Sequence, residues 1–137
     1  MSKKKKGSEG ENIRVAIRCR NLLPYELERG DKNSVRLDLA TNQVIVQHPV
    51  GDPDQFAFDA VFNNTFSQKD IFIQEVQPLV DSVLQGYNAT VFAYGQSGSG
   101  KTHTMTGNLD DPAQFGMMPQ VVEYLFNEVK KMTSSTK

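Results

Sequence analysis

Tryptophan is missing from the 137 residues, cysteine occurs once, and charges nearly cancel at a net −1. Each scarcity closes a class of function. A lone Cys19 allows no internal disulfide and no thiolate cluster for a metal, which fits a reducing compartment and a core-facing strand position. Balanced charge argues against a general nucleic-acid binder, which needs a basic excess to neutralise phosphates. No apolar run reaches the roughly 18 residues of a membrane span, and Met1–Gly7 has no apolar leader segment. Membrane insertion is therefore not expected, and a cytosolic setting is. The length suits one domain with a real core.

One stretch carries unmistakable chemistry. Gly95-Gln96-Ser97-Gly98-Ser99-Gly100-Lys101-Thr102 fits G-x-x-x-x-G-K-[ST] at every position, the pattern of a loop that cradles nucleoside triphosphates. Three glycines let the backbone curl until successive N–H groups point inward, where side chains would hold phosphates away. Lys101 supplies a positive charge, Thr102 a hydroxyl suited to Mg²⁺, and a helix opens here with its positive dipole end toward the loop. Ala89-Thr90-Val91-Phe92-Ala93-Tyr94 precedes it and reads as a strand buried on both faces.

With its flanks, the segment Gly86-Tyr87-Asn88-Ala89-Thr90-Val91-Phe92-Ala93-Tyr94 through the loop to His103-Thr104-Met105 resembles the nucleotide-binding segment of the kinesin motor domain. The resemblance extends to Arg18-Cys19-Arg20, Phe58-Asp59-Ala60-Val61-Phe62, Pro78-Leu79-Val80 and Gly116-Met117-Met118-Pro119. It implies an α/β fold, a P-loop NTPase of the kinesin motor type. Its mixed, mostly parallel central sheet would be flanked by helices, with a small antiparallel side lobe, and be incomplete at the C-terminus. It implies ATP and Mg²⁺ as cofactors, held by Gly95, Gln96, Ser97, Gly98, Ser99, Gly100, Lys101 and Thr102, with Thr102 as the metal ligand. His103 would flank the base. Arg18, Arg20 and Asn21 would line the adenine and ribose side, Asn21 replacing the usual proline and so removing a flat apolar face. Gln120 stands where arginine is usual. Microtubules are the implied partner, mostly through elements beyond Lys137, and cytoplasm and cytoskeleton the implied location.

The chain divides into a basic extension over 1–11, expected to be disordered, and a motor-like domain over 12–137. Ile13, Val15, Ile17 and Cys19 alternate with polar positions as a strand. Val35, Leu37, Leu39, Val44 and Val46 predict an antiparallel hairpin turning at Thr41-Asn42, and Phe56, Phe58, Ala60 and Phe62 share one strand face. Asp38-Leu39-Ala40 is similar to the start of a kinesin switch segment, but Thr41 replaces the required glycine, so it reads as ordinary strand. His48 lies in a turn-rich loop with no visible partner. Ser67 with Asp70 signals a helix start, Phe72, Val76, Leu79, Val80 and Val83 form its buried stripe, Pro78 predicts a kink, and Gly86 predicts its end. A short acidic loop of about ten residues follows Gly107. Pro119 then opens another helix, with Val122, Leu125, Phe126 and Val129 on its apolar face and Thr133–Lys137 fraying.

Phosphoryl transfer to water needs groups that position the water and sense the γ-phosphate, and kinesins take these from two switch segments. Neither N-x-x-S-S-R nor D-x-x-G-x-E follows Thr102, so no catalytic residue is assigned. The 137 residues read as the ATP-binding part of a microtubule motor, expected to be inactive alone. The alternative is a non-catalytic kinesin-like module that holds nucleotide or tubulin. An unrelated nucleotide kinase would carry a basic lid and a base-specific pocket, and neither is visible.

Overall fold

The computed structural model of the chain describes residues 13–134. The basic stretch over 1–11 and the end of the fraying tail, 135–137, lie outside the described residues.

Strand β1, Ala16–Arg18, pairs in parallel with β5, Ala60–Phe62, placing Ile17 opposite Val61. The expected hairpin is present: β2, Val35–Asp38, runs antiparallel to β3, Gln43–Val46, with Leu37 opposite Val44. Its turn is closed by Asp38, whose carboxylate accepts from the N–H groups of Ala40 and Thr41. A third strand, β4, Asp54–Ala57, joins β3 and completes the side lobe. Residues 54–62, read as one strand face from sequence, are divided between the two sheets. The break has a visible cause: Phe58 N–H still bonds Asn42 in the lobe, whereas Asp59 N–H bonds Val15 O at 3.1 Å beside β1. The Asp59 carboxylate accepts from Val15 N–H at 2.7 Å, so the chain changes sheets at Asp59. His48, given no partner from sequence, lies 2.9 Å from the Asp54 carboxylate at the rim of this lobe.

After β5, Ser67 caps helix α2, Gln68–Ile71, in the expected reciprocal box with Asp70. The Ser67 hydroxyl donates to Asp70 and so holds that carboxyl below its usual range. The kink expected from Pro78 takes the form of a π turn over Phe72–Val76, closed from Gln77 N–H to Phe72 O. The wider turn takes up the disruption imposed by a residue with no N–H before the chain continues as α3, Gln77–Leu84. Gly86 follows at φ +97°, the left-handed ending read from sequence. Phe62 and Phe66 meet edge to face at 5.1 Å, and with Ala60 and Ile71 they form one apolar cluster. Phe72, Val76 and Val80 form a second, against Val121, Tyr124 and Leu125 of α5, Met117–Ser134. Helix α5 starts ahead of Pro119, which sits in the first turn, where an N–H is not needed.

The strand expected over Thr90–Tyr94 is not formed. Residues 87–95 form no regular element and have no ladder partner among the described residues, and Phe92 and Tyr94 are 77% and 95% exposed. β-forming composition sets backbone preference, but a strand exists only where another strand satisfies its N–H and C=O groups. Ala89 and Val91 instead border an apolar groove of about 470 Å³ between α3 and α5, lined also by Val80, Val83, Met117 and Leu125.

Candidate nucleotide site

This unpaired segment delivers the chain into the glycine-rich loop. Gly98 and Gly100 adopt φ +78° and +101°, left-handed values that turn the loop back on itself. A Cβ at Gly95 would lie 2.5 Å from Ser99 Oγ, so a larger residue there would have to turn the Ser99 hydroxyl aside. Ser99 N–H bonds Gln96 O at 3.2 Å across the curl. Lys101 opens helix α4, Lys101–Met105, and its ammonium donates to the carbonyls of Gly95 and Gln96 at 2.7 and 2.8 Å. A cation is thereby held over the loop mouth. Thr102 and His103 are exposed on the first turn beside it.

A helix of only five residues cannot hold itself in place by propensity. Its far end is wedged by close backbone approach: Gly116 N–H bonds Thr106 O at 2.9 Å, and a Cβ at Gly116 would lie 2.5 Å from the Met105 carbonyl carbon. From below it is held by Arg18 and Gln68. The Arg18 guanidinium donates to Gln68 Oε1 at 2.7 Å and to Thr104 Oγ1 at 3.0 Å, and half-burial pushes its pKa down. Partial desolvation of the ring, though His103 as a whole is exposed, and then the Arg18 charge push the His103 imidazole below its usual pKa.

Arg20, two residues along β1's exit, reaches the loop apex, donating to Gly98 O at 3.0 Å. Glu26 of α1, Pro24–Glu28, grips the same guanidinium through both carboxylate oxygens at 2.8 Å and caps Leu23 N–H at 2.7 Å. Those hydrogen bonds, the guanidinium's foremost, hold the Glu26 carboxyl down to about 2. Asn21 enters through its carbonyl, which accepts from Arg20 at 2.7 Å. The structure thus brings Arg20 to the loop apex at Gly98 and Arg18 to the helix behind it at Thr104, while Asn21 meets Arg20 alone among these groups.

Sequence reasoning missed Gln68. It is the buried polar side chain of the described core, 6% exposed, and it joins β1, α2, α4 and the loop before α5. The one signal available was its place just after the cap Ser67, a position that ordinarily faces solvent. Gln120, noted for replacing an arginine, donates to Phe115 O at 2.8 Å and Gln68 O at 3.3 Å, fixing that loop against α2.

The sequence profile of the kinesin motor domain matches residues 18–137. Kinesin-like protein KIF3C of Bos taurus is 42% identical over 135 residues, which cover 96% of this chain and 17% of that protein. The kinesin-1 heavy chain of Homo sapiens is 41% identical over 121 residues, 88% of this chain and 12% of that protein. A solved structure of a fast kinesin, described for its ATPase mechanism and interactions with microtubules, aligns with a TM-score of 0.77 at 40% identity, covering 84% of this chain and 32% of that one. The chain therefore spans a minor part of the length of each of these relatives. With the phosphate loop, its supporting arginines and the surrounding α/β fold all inside the matched region, the chain belongs to the kinesin motor domain family.

Proposed function

We propose that this chain is the nucleotide-binding part of a microtubule-based motor, taking ATP with Mg²⁺ at Gly95–Thr102 in an ATPase cycle that drives movement along microtubules. The observation that carries this reading is the Lys101 ammonium held over a glycine-shaped loop by the carbonyls of Gly95 and Gln96, within a kinesin motor domain. An incoming phosphate offers that ammonium charged oxygens, a stronger partner than neutral carbonyls. Thr102, exposed at the next position, supplies the hydroxyl for Mg²⁺. Among the described residues no group of three His, Cys, Asp or Glu could hold a metal unaided, so the ion depends on Thr102 and on phosphate oxygens. Bound ATP supplies the phosphoanhydride bond, and Mg²⁺ neutralises its charge.

His103 flanks the base. Arg18, Arg20 and Asn21 line the adenine and ribose side, Arg20 also steadying the loop apex and Arg18 the helix behind it. The working domain is residues 12–137 behind the basic stretch 1–11, and its setting is the cytoplasm and its microtubules. Titration of the chain with Mg-ATP tests this reading. Lys101→Ala and Thr102→Ala should each weaken binding about tenfold or more, as expected for loss of a charged contact worth about 1.5–3 kcal/mol. Unchanged titrations in both variants would overturn it.

A further inference from the structure

Gln68 is a glutamine whose side chain is nearly saturated. Its amide nitrogen donates to His103 O at 2.6 Å and, more weakly, to Gln114 O at 3.4 Å, while its amide oxygen accepts from Arg18. The three partners fix the orientation by chemistry: a guanidinium can only donate and the two backbone carbonyls can only accept. No other uncharged side chain of this length offers two donors and an acceptor in one plane. The link to His103 lands on the third residue of α4, two beyond Lys101 and one beyond Thr102. Helix α4 is too short to stand alone.

We infer that Gln68 is a positioning residue for the phosphate loop: its amide fixes α4, and with it Lys101 and Thr102, against β1 and the loop 108–116. The inference rests on the nucleotide reading above for its functional consequence, and on geometry alone for its structural one. Because Gln68 bonds both Arg18 and the helix, losing it removes a direct tie to α4 and frees Arg18 on one side, its own bond to Thr104 being left. The hairpin lobe, 35–46, shares none of these bonds.

The test uses the full chain as wild type, Gln68→Ala and Gln68→Glu, followed by hydrogen exchange of peptides and by Mg-ATP titration. Glutamate keeps the volume and the acceptor for Arg18, so the fold has its buried cation satisfied, but ionised it has no donor for His103 O or Gln114 O. Both variants should raise exchange about tenfold or more over 101–107 while leaving 35–46 at the wild-type rate, and both should weaken Mg-ATP binding by about tenfold. Wild-type exchange over 101–107 in Gln68→Glu would overturn the inference, as would equal acceleration of 35–46 and 101–107 in both variants, which marks general loosening. If the wild-type chain binds no Mg-ATP, the nucleotide reading fails, and the exchange comparison still decides whether Gln68 positions the helix.

Discussion

The side lobe and the segment entering the phosphate loop are both rich in β-forming residues, yet they end in opposite conditions. In the lobe, β2, β3 and β4 lie within 23 residues of one another in sequence, each finds its neighbour through a short turn, and Val44 and Ile45 are 8% and 5% exposed. In Ala89–Tyr94 the same kind of residue leaves Phe92 and Tyr94 in solvent. The difference lies in where the partners come from: hairpin strands carry theirs with them, whereas a parallel strand needs a neighbour delivered by a crossover of a dozen residues or more. Stability is therefore concentrated in the lobe and the two apolar clusters, while the chemistry sits on a loop held by a few polar contacts.

Substitution should separate the two regions. Ile45→Ala removes a buried side chain from the lobe and is expected to cost about 2–5 kcal/mol in a denaturant melt, while Phe92→Ala should stay within about 0.5 kcal/mol. Equal costs would break the contrast. Gly116→Ala drives a methyl group to 2.5 Å from the Met105 carbonyl carbon, backbone against backbone, and should cost about 1–3 kcal/mol. Near-ultraviolet dichroism and exchange over 101–107 would show whether that loss falls on α4, as expected, or on the lobe. Ser67→Ala removes the cap of α2, whose next residue is Gln68, and should cost about 1 kcal/mol.

The smallest expected effect is on acidification. Glu26 has its folded pKa lowered to about 2, below the usual value near 4.3. A depressed carboxylate contributes its stabilisation in full above the unfolded value and loses it as pH falls through the folded one. The Arg20 grip on Gly98 should therefore hold at pH 5 and loosen toward pH 2. The pair is solvent-exposed, so added salt should blunt the change. An Arg20 Nε–H resonance that does not move over that range would show that Glu26 does not steer Arg20.

Much of this was legible from local pattern. The glycine-shaped turn before Lys101, the capping box at Ser67 and Asp70, the hairpin turn at Thr41-Asn42 and the helix end at Gly86 all depend on neighbours within a few residues, and each stands where sequence placed it. What was not legible depends on contacts made at long range. The sheet change at Asp59 needs Val15, 44 residues away. Gln68 looks like an ordinary polar residue at a helix start until Arg18 and His103, 50 and 35 residues away, close around it. Arg18 and Arg20 alternate on one strand face in the sequence, but only the fold shows that this spacing reaches the loop at Gly98 and the helix behind it at Thr104.

The most direct measurement is hydrogen exchange of the full chain with and without saturating Mg-ATP, read over 95–102 and over the lobe, 35–46. Nucleotide held by the loop should slow exchange at 95–102 by about tenfold or more, the loop amides being the groups that take the phosphates, while the lobe stays unchanged. Identical exchange at 95–102 in both conditions would contradict the assignment of Gly95–Thr102 as the ATP site.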